Sequence, residues 1–414
     1  MLGAIVKTIS RMNVRIGTNG TINMRTIVMT GLVCYGVAEL SNYMKFVRRY
    51  HRFNGMRIAN HTRAQIACVI DRVIASTPGI FERAKRYSVT HRITDRESLI
   101  DAMHVESNAM ETSANELRVG RSKLFRLYKP IVFNWFISGL YHMGTIAMRR
   151  AGYVRRVHAT EIGDYTVWTR TVEGTKPIVM FPGFGLGAVP FYKAMKYFGR
   201  TVHIVEMPNL GYSTANDSSG YMTSETIYRV VRAHVGAAEH DIMAHSIGSS
   251  PAAHYVNYQH TDGTVPANQV AVICDGFVCP VDGITTHVYP CTERTMYNEL
   301  IKNKTVPMSR FEFFMFLWFV INDLNATIFL KRFHNLHDGV LWRDEYRTSI
   351  RYVFGERDML YDVPFIRSTV ERMSVEQQTQ YRFIPKASHG GCFFGKRRDE
   401  TLSHIVRWFD GSIA

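Results

Sequence analysis

The chain has 414 residues, with 50 Lys+Arg against 35 Asp+Glu, 46% hydrophobic and 21% charged residues. This composition excludes a disordered, collagenous or low-complexity protein, and the length suffices to bury a core without disulfide staples. The charge is lopsided: residues 1–160 hold 25 Lys+Arg and 9 Asp+Glu, whereas residues 161–414 hold 25 and 26.

An anionic partner would therefore be met by residues 1–160. No acidic residue precedes Glu39, and Lys7, Arg11, Arg15 and Arg25 stand among hydroxyl residues, a pattern compatible with mitochondrial targeting. A mostly apolar run covers 26–40, shorter than the ~20 residues a membrane span needs, and Lys45, Arg48, Arg49, Arg52 and Arg57 follow it. A span there would leave the rest of the chain in the cytosol. A second apolar stretch, 131–148, is interrupted by Asn134 and His142, carries Trp135 and Phe136, and is followed by Arg149 and Arg150. It reads as an interfacial helix or one packed on the body. An anionic membrane fits this region better than nucleic acid, because its arginines flank apolar runs and no nucleic-acid signature is present.

From residue 161 the pattern changes. Short apolar runs at 165–172, 178–181, 202–206, 241–244, 270–274, 350–354 and 381–384 read as strands. Helical patterns near 190–198, 223–237, 247–258, 362–373 and 399–409 alternate with them. That alternation predicts an α/β architecture with a mostly parallel sheet, and ligands beyond the carboxyl ends of the strands.

Four elements after strands carry chemistry. Ala244, His245, Ser246, Ile247 and Gly248 follow a small-x-Ser-x-Gly pattern at a strand–helix junction, the form of a nucleophile elbow. Pro182, Gly183, Phe184, Gly185, Leu186 and Gly187 form a Gly-rich turn that can offer the Phe184 N–H beside the Ile247 N–H to an oxyanion. The turn lacks the ending of a phosphate-binding loop. Asp358 and His389 stand in loops after the last two strands, with Glu356, Asp362 and the earlier Asp275 as rival acids. Ser, acid, His is the order in which one hydrolase fold presents a triad.

Residues 161–275 and 350–414 are thus similar to the α/β-hydrolase superfamily. Glu206, Pro208, Gly211 and Ser213 resemble a stretch that family members carry after a strand, although Glu replaces the usual Asp. The resemblance implies a helical N-terminal extension over 1–160, a core over 161–275 and 350–414, and a helical lid insertion over 276–349. The centre of that insertion, 311–321, is apolar almost all round, as in a helix that is buried or faces lipid. His334, His337 and Asp338 read as its surface, and no Cys/His cluster has zinc spacing.

The function implied is a membrane-associated serine hydrolase that cleaves a lipid or long-chain acyl ester through Ser246, Asp358 and His389, with no cofactor or metal. A thioesterase, peptidase or acyltransferase using the same triad, and a non-catalytic membrane scaffold of this fold, stay open as alternatives.

Overall fold

A computed structural model describes residues 13–15, 21–54, 63–64, 67, 71, 95–98, 100–101, 130–160, 163–185, 187–208, 223–266, 268–276, 341, 346–358, 363–377 and 380–411. The apolar segment 311–321, His334, His337, Asp338, Gly211, Ser213 and Asp362 lie outside the described residues, as does most of 276–349. The chain divides into two compact units, Met1–Gly55 with Tyr128–Leu140, and Met56–Leu127 with Tyr141–Ala414.

In the first unit β1 (Asn13–Arg15) pairs antiparallel with β2 (Thr21–Asn23), and α1 (Met24–Asn54) follows directly. The apolar run expected at 26–40 is thus part of a 31-residue helix that continues through Lys45 and Arg48. Leu32, Val33, Val37 and Leu40 on it are 51%, 60%, 64% and 62% exposed, so this apolar surface is largely uncovered. Glu39 Oε2 accepts a 2.9 Å bond from the backbone N–H of Ile131, the first residue of α2 (Ile131–Arg150). A carboxylate there satisfies one of the donors that a helix start leaves without an intrahelical partner, and it faces the positive end of the helix dipole. Val132, Trp135 and Phe136 on α2 are exposed as well. Among the described residues no helix is long and apolar enough to cross a membrane. The division between the units falls within α2, after Leu140.

The second unit is built on an eight-stranded sheet. Its strands are β3 (Val154–His158), β4 (Tyr165–Arg170), β5 (Ile178–Phe181), β6 (Val202–Glu206), β7 (Asp241–His245), β8 (Val270–Cys274), β9 (Ser349–Gly355) and β10 (Gln380–Ile384). They lie in the order β10-β9-β8-β7-β5-β6-β4-β3. Only β4 runs against the others, pairing antiparallel with both β6 and β3. The near-continuous apolar runs of β5 and β7 follow from burial on both faces, which a parallel sheet covered by helices requires. Trp168, Met180, Met243, Val272, Val353, Phe393 and Trp408 belong to one core cluster.

Helices α3 (Tyr192–Tyr197), α4 (Ser224–Val235), α5 (Ser249–Asp262), α6 (Val363–Gln377), α7 (Gly391–Phe394) and α8 (Arg398–Phe409) alternate with the strands. The amphipathic pattern of α4 buries Ile227, Val230, Val231 and Val235, and its start is capped by the Thr223 hydroxyl, which accepts from the Thr226 N–H.

One difference from the sequence reading concerns the start of the sheet. The sheet begins at β3, ahead of the expected start of the core at 161, and β3 itself was not legible as a strand. Its Val-Arg-Arg-Val-His sequence is almost wholly exposed, so no apolar run marks it. Basic side chains on an edge strand also guard against edge-to-edge pairing.

Candidate active site

β5 is the strand at which the winding of the sheet reverses: its parallel neighbours are β6 on one side and β7 on the other. The carboxyl ends at such a switch point flank a natural crevice. The Gly-rich turn after β5 and the serine turn after β7 both emerge there.

Ser246 follows β7 and has φ 54, a left-handed conformation that non-glycine residues adopt only under constraint. The chain then enters a 3-10 turn, Ser246–Gly248, that feeds α5. The constraint comes from close packing of backbone on backbone. A Cβ on Gly248 would lie 2.3 Å from the Phe181 carbonyl oxygen and 2.5 Å from that of Pro182. A Cβ on Gly183 would lie 2.9 Å from His245 Nδ1 and 3.1 Å from Ser246 Cβ. The glycines of both turns therefore allow the Gly-rich turn to press against the serine turn. This brings Gly183, the residue before Phe184, beside Ser246. Ile247 follows Ser246 at the start of the 3-10 turn, where backbone N–H groups have no partner within the turn.

Asp358 follows β9 and His389 follows β10, and these strands are parallel neighbours, so both residues leave the same end of the sheet. His389 Nδ1 donates to Asp358 Oδ2 at 2.8 Å, and the Asp358 side chain is fully buried. Burial opposes charge on the imidazole, but the Asp358 carboxylate beside it, its hydrogen bond and the Asp275 carboxylate outweigh that and raise the His389 pKa. The His389 ring lies 5.1 Å, centroid to centroid, from that of His245, the residue before Ser246. Among the described residues no hydrogen bond joins Ser246 to His389; such bonds commonly tighten only when substrate is bound.

The rival acids separate. Glu356 accepts from the Lys386 N–H at 3.3 Å and pairs with Arg367, away from the imidazole. Asp275, at the end of β8, uses its oxygens on two backbone N–H groups, those of Gly355 and Gly390, each at 2.8 Å. Asp275, Asp358 and His389 offer ligand atoms within 4.8 Å of one another. The hydrogen bonds just given use both oxygens of Asp275, Oδ2 of Asp358 and Nδ1 of His389, an arrangement suited to handling a proton.

Two residues named in the sequence patterns have structural roles here that the patterns do not show. Glu206 is buried; Oε1 accepts from the Ala188 N–H at 2.7 Å, and Oε2 accepts from Trp168 Nε1 and the Tyr141 hydroxyl, each at 3.3 Å. It thereby anchors the far end of the Gly-rich turn. A Cβ on Gly187, which has φ +57, would lie 2.1 Å from Glu206 Oε1. The second is His245, whose ring packs among Phe191, Phe393 and His389. Both of its nitrogens are buried with no hydrogen-bond partner among the described residues, and burial pushes its pKa well below the ordinary value, so it stays neutral. No local pattern advertises either role, because each depends on packing against distant segments.

The strand order, with one antiparallel strand near an edge and the serine turn between β7 and α5, is that of the α/β-hydrolase fold. No family model matches the sequence and no curated protein matches it. Solved structures that match include carboxylesterase CesB from Bacillus subtilis, at 12% identity and TM-score 0.45, over 68% of this chain and 99% of that one. A membrane phospholipase A described as a bacterial virulence factor matches at 16% identity and TM-score 0.46, over 67% of this chain and 92% of that one. A soluble variant of monoglyceride lipase from Saccharomyces cerevisiae matches at 11% identity and TM-score 0.43, over 63% of this chain and 97% of that one.

Proposed function

We propose that this protein is a serine ester hydrolase acting through an acyl-enzyme on Ser246. The observation that carries the reading is the buried Asp358–His389 bond of 2.8 Å at the same sheet end as a serine held at φ 54. Ser246 Oγ attacks the ester carbonyl carbon while its proton passes to His389 Nε2, and Asp358 fixes the tautomer and supports the imidazolium. The N–H groups of Phe184 and Ile247 receive the oxyanion. The leaving alcohol departs with the proton from His389. Water then attacks the acyl carbonyl by the same route and restores Ser246.

The substrate belongs to the lipid or long-chain acyl esters, a reading supported by the near-neutral charge of residues 161–414 and the apolar segment at 311–321. Residues 1–160 form the part that meets an anionic membrane surface, supported by their basic excess and by the exposed Leu32, Val33, Val37, Trp135 and Phe136.

Hydrolysis of p-nitrophenyl esters of increasing acyl length tests the substrate class. kcat/KM rises with chain length, up to just under fourfold per methylene from the ~0.8 kcal/mol of a buried CH₂. A preference for acetyl esters contradicts a lipid substrate. Sedimentation with anionic and with neutral phospholipid vesicles tests the membrane reading, which fails if the full chain ignores both.

A further inference from the structure

We infer that Asp275 is a positioning residue that clamps the loop carrying Asp358 to the loop carrying His389. The inference rests on the serine-hydrolase reading for its kinetic consequences but on geometry for the clamp itself. One carboxylate spans both loops: Oδ1 accepts from the Gly355 N–H and Oδ2 from the Gly390 N–H, each at 2.8 Å. Gly355 closes β9, and its carbonyl accepts from the Asp358 N–H at 3.2 Å. Gly390 directly follows His389. The clamp is anchored in turn, because the Asp275 N–H donates to the Val353 carbonyl of β9 at 2.8 Å.

The backbone is bent to make this reach. Asp275 has φ 46, a left-handed conformation uncommon for a non-glycine residue, and it is buried. Strain at a buried carboxylate persists only where the surroundings over-determine it. Here they do so through three hydrogen bonds to two neighbouring segments. The arrangement also explains why Asp275 is not the triad acid, since its oxygens hold backbone N–H groups while Asp358 holds Nδ1.

The clamp has an electrostatic consequence. Titratable groups facing Asp275 are Asp358 after β9, His389 after β10 and Cys392 on α7. Burial and the Asp358 charge raise the Asp275 pKa to about 7, opposed by His389 and by the two N–H bonds. The Asp275 carboxylate in turn favours the protonated form of His389.

Asp275→Asn keeps the shape, removes the charge and turns an NH₂ donor toward one of the two N–H groups. With p-nitrophenyl butyrate as probe, kcat falls about 10- to 100-fold, the cost of a slightly misplaced catalytic group, while KM changes little. The acid limb of kcat/KM moves to lower pH because His389 loses a neighbouring negative charge. An unchanged kcat and pH profile overturn the proposal. It is overturned equally if Asp358→Asn retains most activity while Asp275→Asn loses all of it, because Asp275 is then the triad acid. Should Asp275→Asn fail to fold, amide hydrogen exchange on the unaltered protein decides: the Gly355 and Gly390 amides are protected if the clamp exists, and fast exchange at either overturns it. If the unaltered protein turns over no ester, the hydrolase reading fails while the exchange experiment still decides the clamp.

Discussion

Gly248 lies so close under Phe181 that a single methyl group on it would stand 2.3 Å from the Phe181 carbonyl oxygen. That contact joins the turn after β7 to the end of β5 and sets where Ser246 points. The neighbouring atom is backbone, fixed in the middle of the sheet, and cannot swing aside as a side chain could.

Gly248→Ala is therefore expected to destabilise the protein by about 1–3 kcal/mol through overpacking and to lower ester hydrolysis more than the stability loss accounts for. Thermal unfolding and kcat/KM on the same preparation check this. A variant with normal Tm and normal turnover would show that the turn is not held by this contact.

The raised pKa of His389 fixes the sign of one pH effect. In the proposed mechanism the imidazole must be neutral to accept the Ser246 proton, so activity is expected to be lost as pH falls through its pKa. The acid limb of kcat/KM is expected above ~6.5, the ordinary imidazole value. A limb centred well below that value would mean that burial dominates and that Asp358 does not support the imidazolium.

At the opposite end of the sheet, the fully buried carboxylate of Asp241 accepts from Lys176 Nζ at 2.7 Å and from Arg200 at 2.6 Å. It also accepts from the Val270 N–H at 3.0 Å, tying β7 to β8. Replacing one partner of a buried ionic cluster strands the others, so Asp241→Ala is expected to cost about 3–5 kcal/mol. Chemical denaturation measures this, and a loss under ~1 kcal/mol would show that water solvates the cations and that the cluster contributes little.

Much of this framework was legible from residues. The apolar runs of β5 and β8 gave strands with the boundaries the structure has, because strands buried on both faces are uninterrupted by polar residues, and β6 kept its expected bounds despite His203 and Glu206. Asp358 and His389 could be singled out because each sits in a loop after a strand, and the order of the three residues narrowed the fold. β3 was not legible because its exposed sequence has no apolar face. Asp275 was legible as an acid but not as a clamp, and Glu206 as a family-like position but not as an anchor. Their roles are side-chain bonds to backbone N–H groups far away in sequence, for Asp275 those of Gly355 and Gly390.

The central claim is that Ser246 is a nucleophile activated by His389 and Asp358. A fluorophosphonate tests it directly: Ser246 Oγ displaces fluoride from phosphorus, its proton leaves through His389, and a stable phosphonyl ester remains. Peptide mass spectrometry of the labelled protein is expected to find the adduct on Ser246, with labelling abolished in Ser246→Ala and strongly slowed in His389→Ala. No adduct on the folded protein, or an adduct on Ser249 or Ser250 instead, would contradict the account.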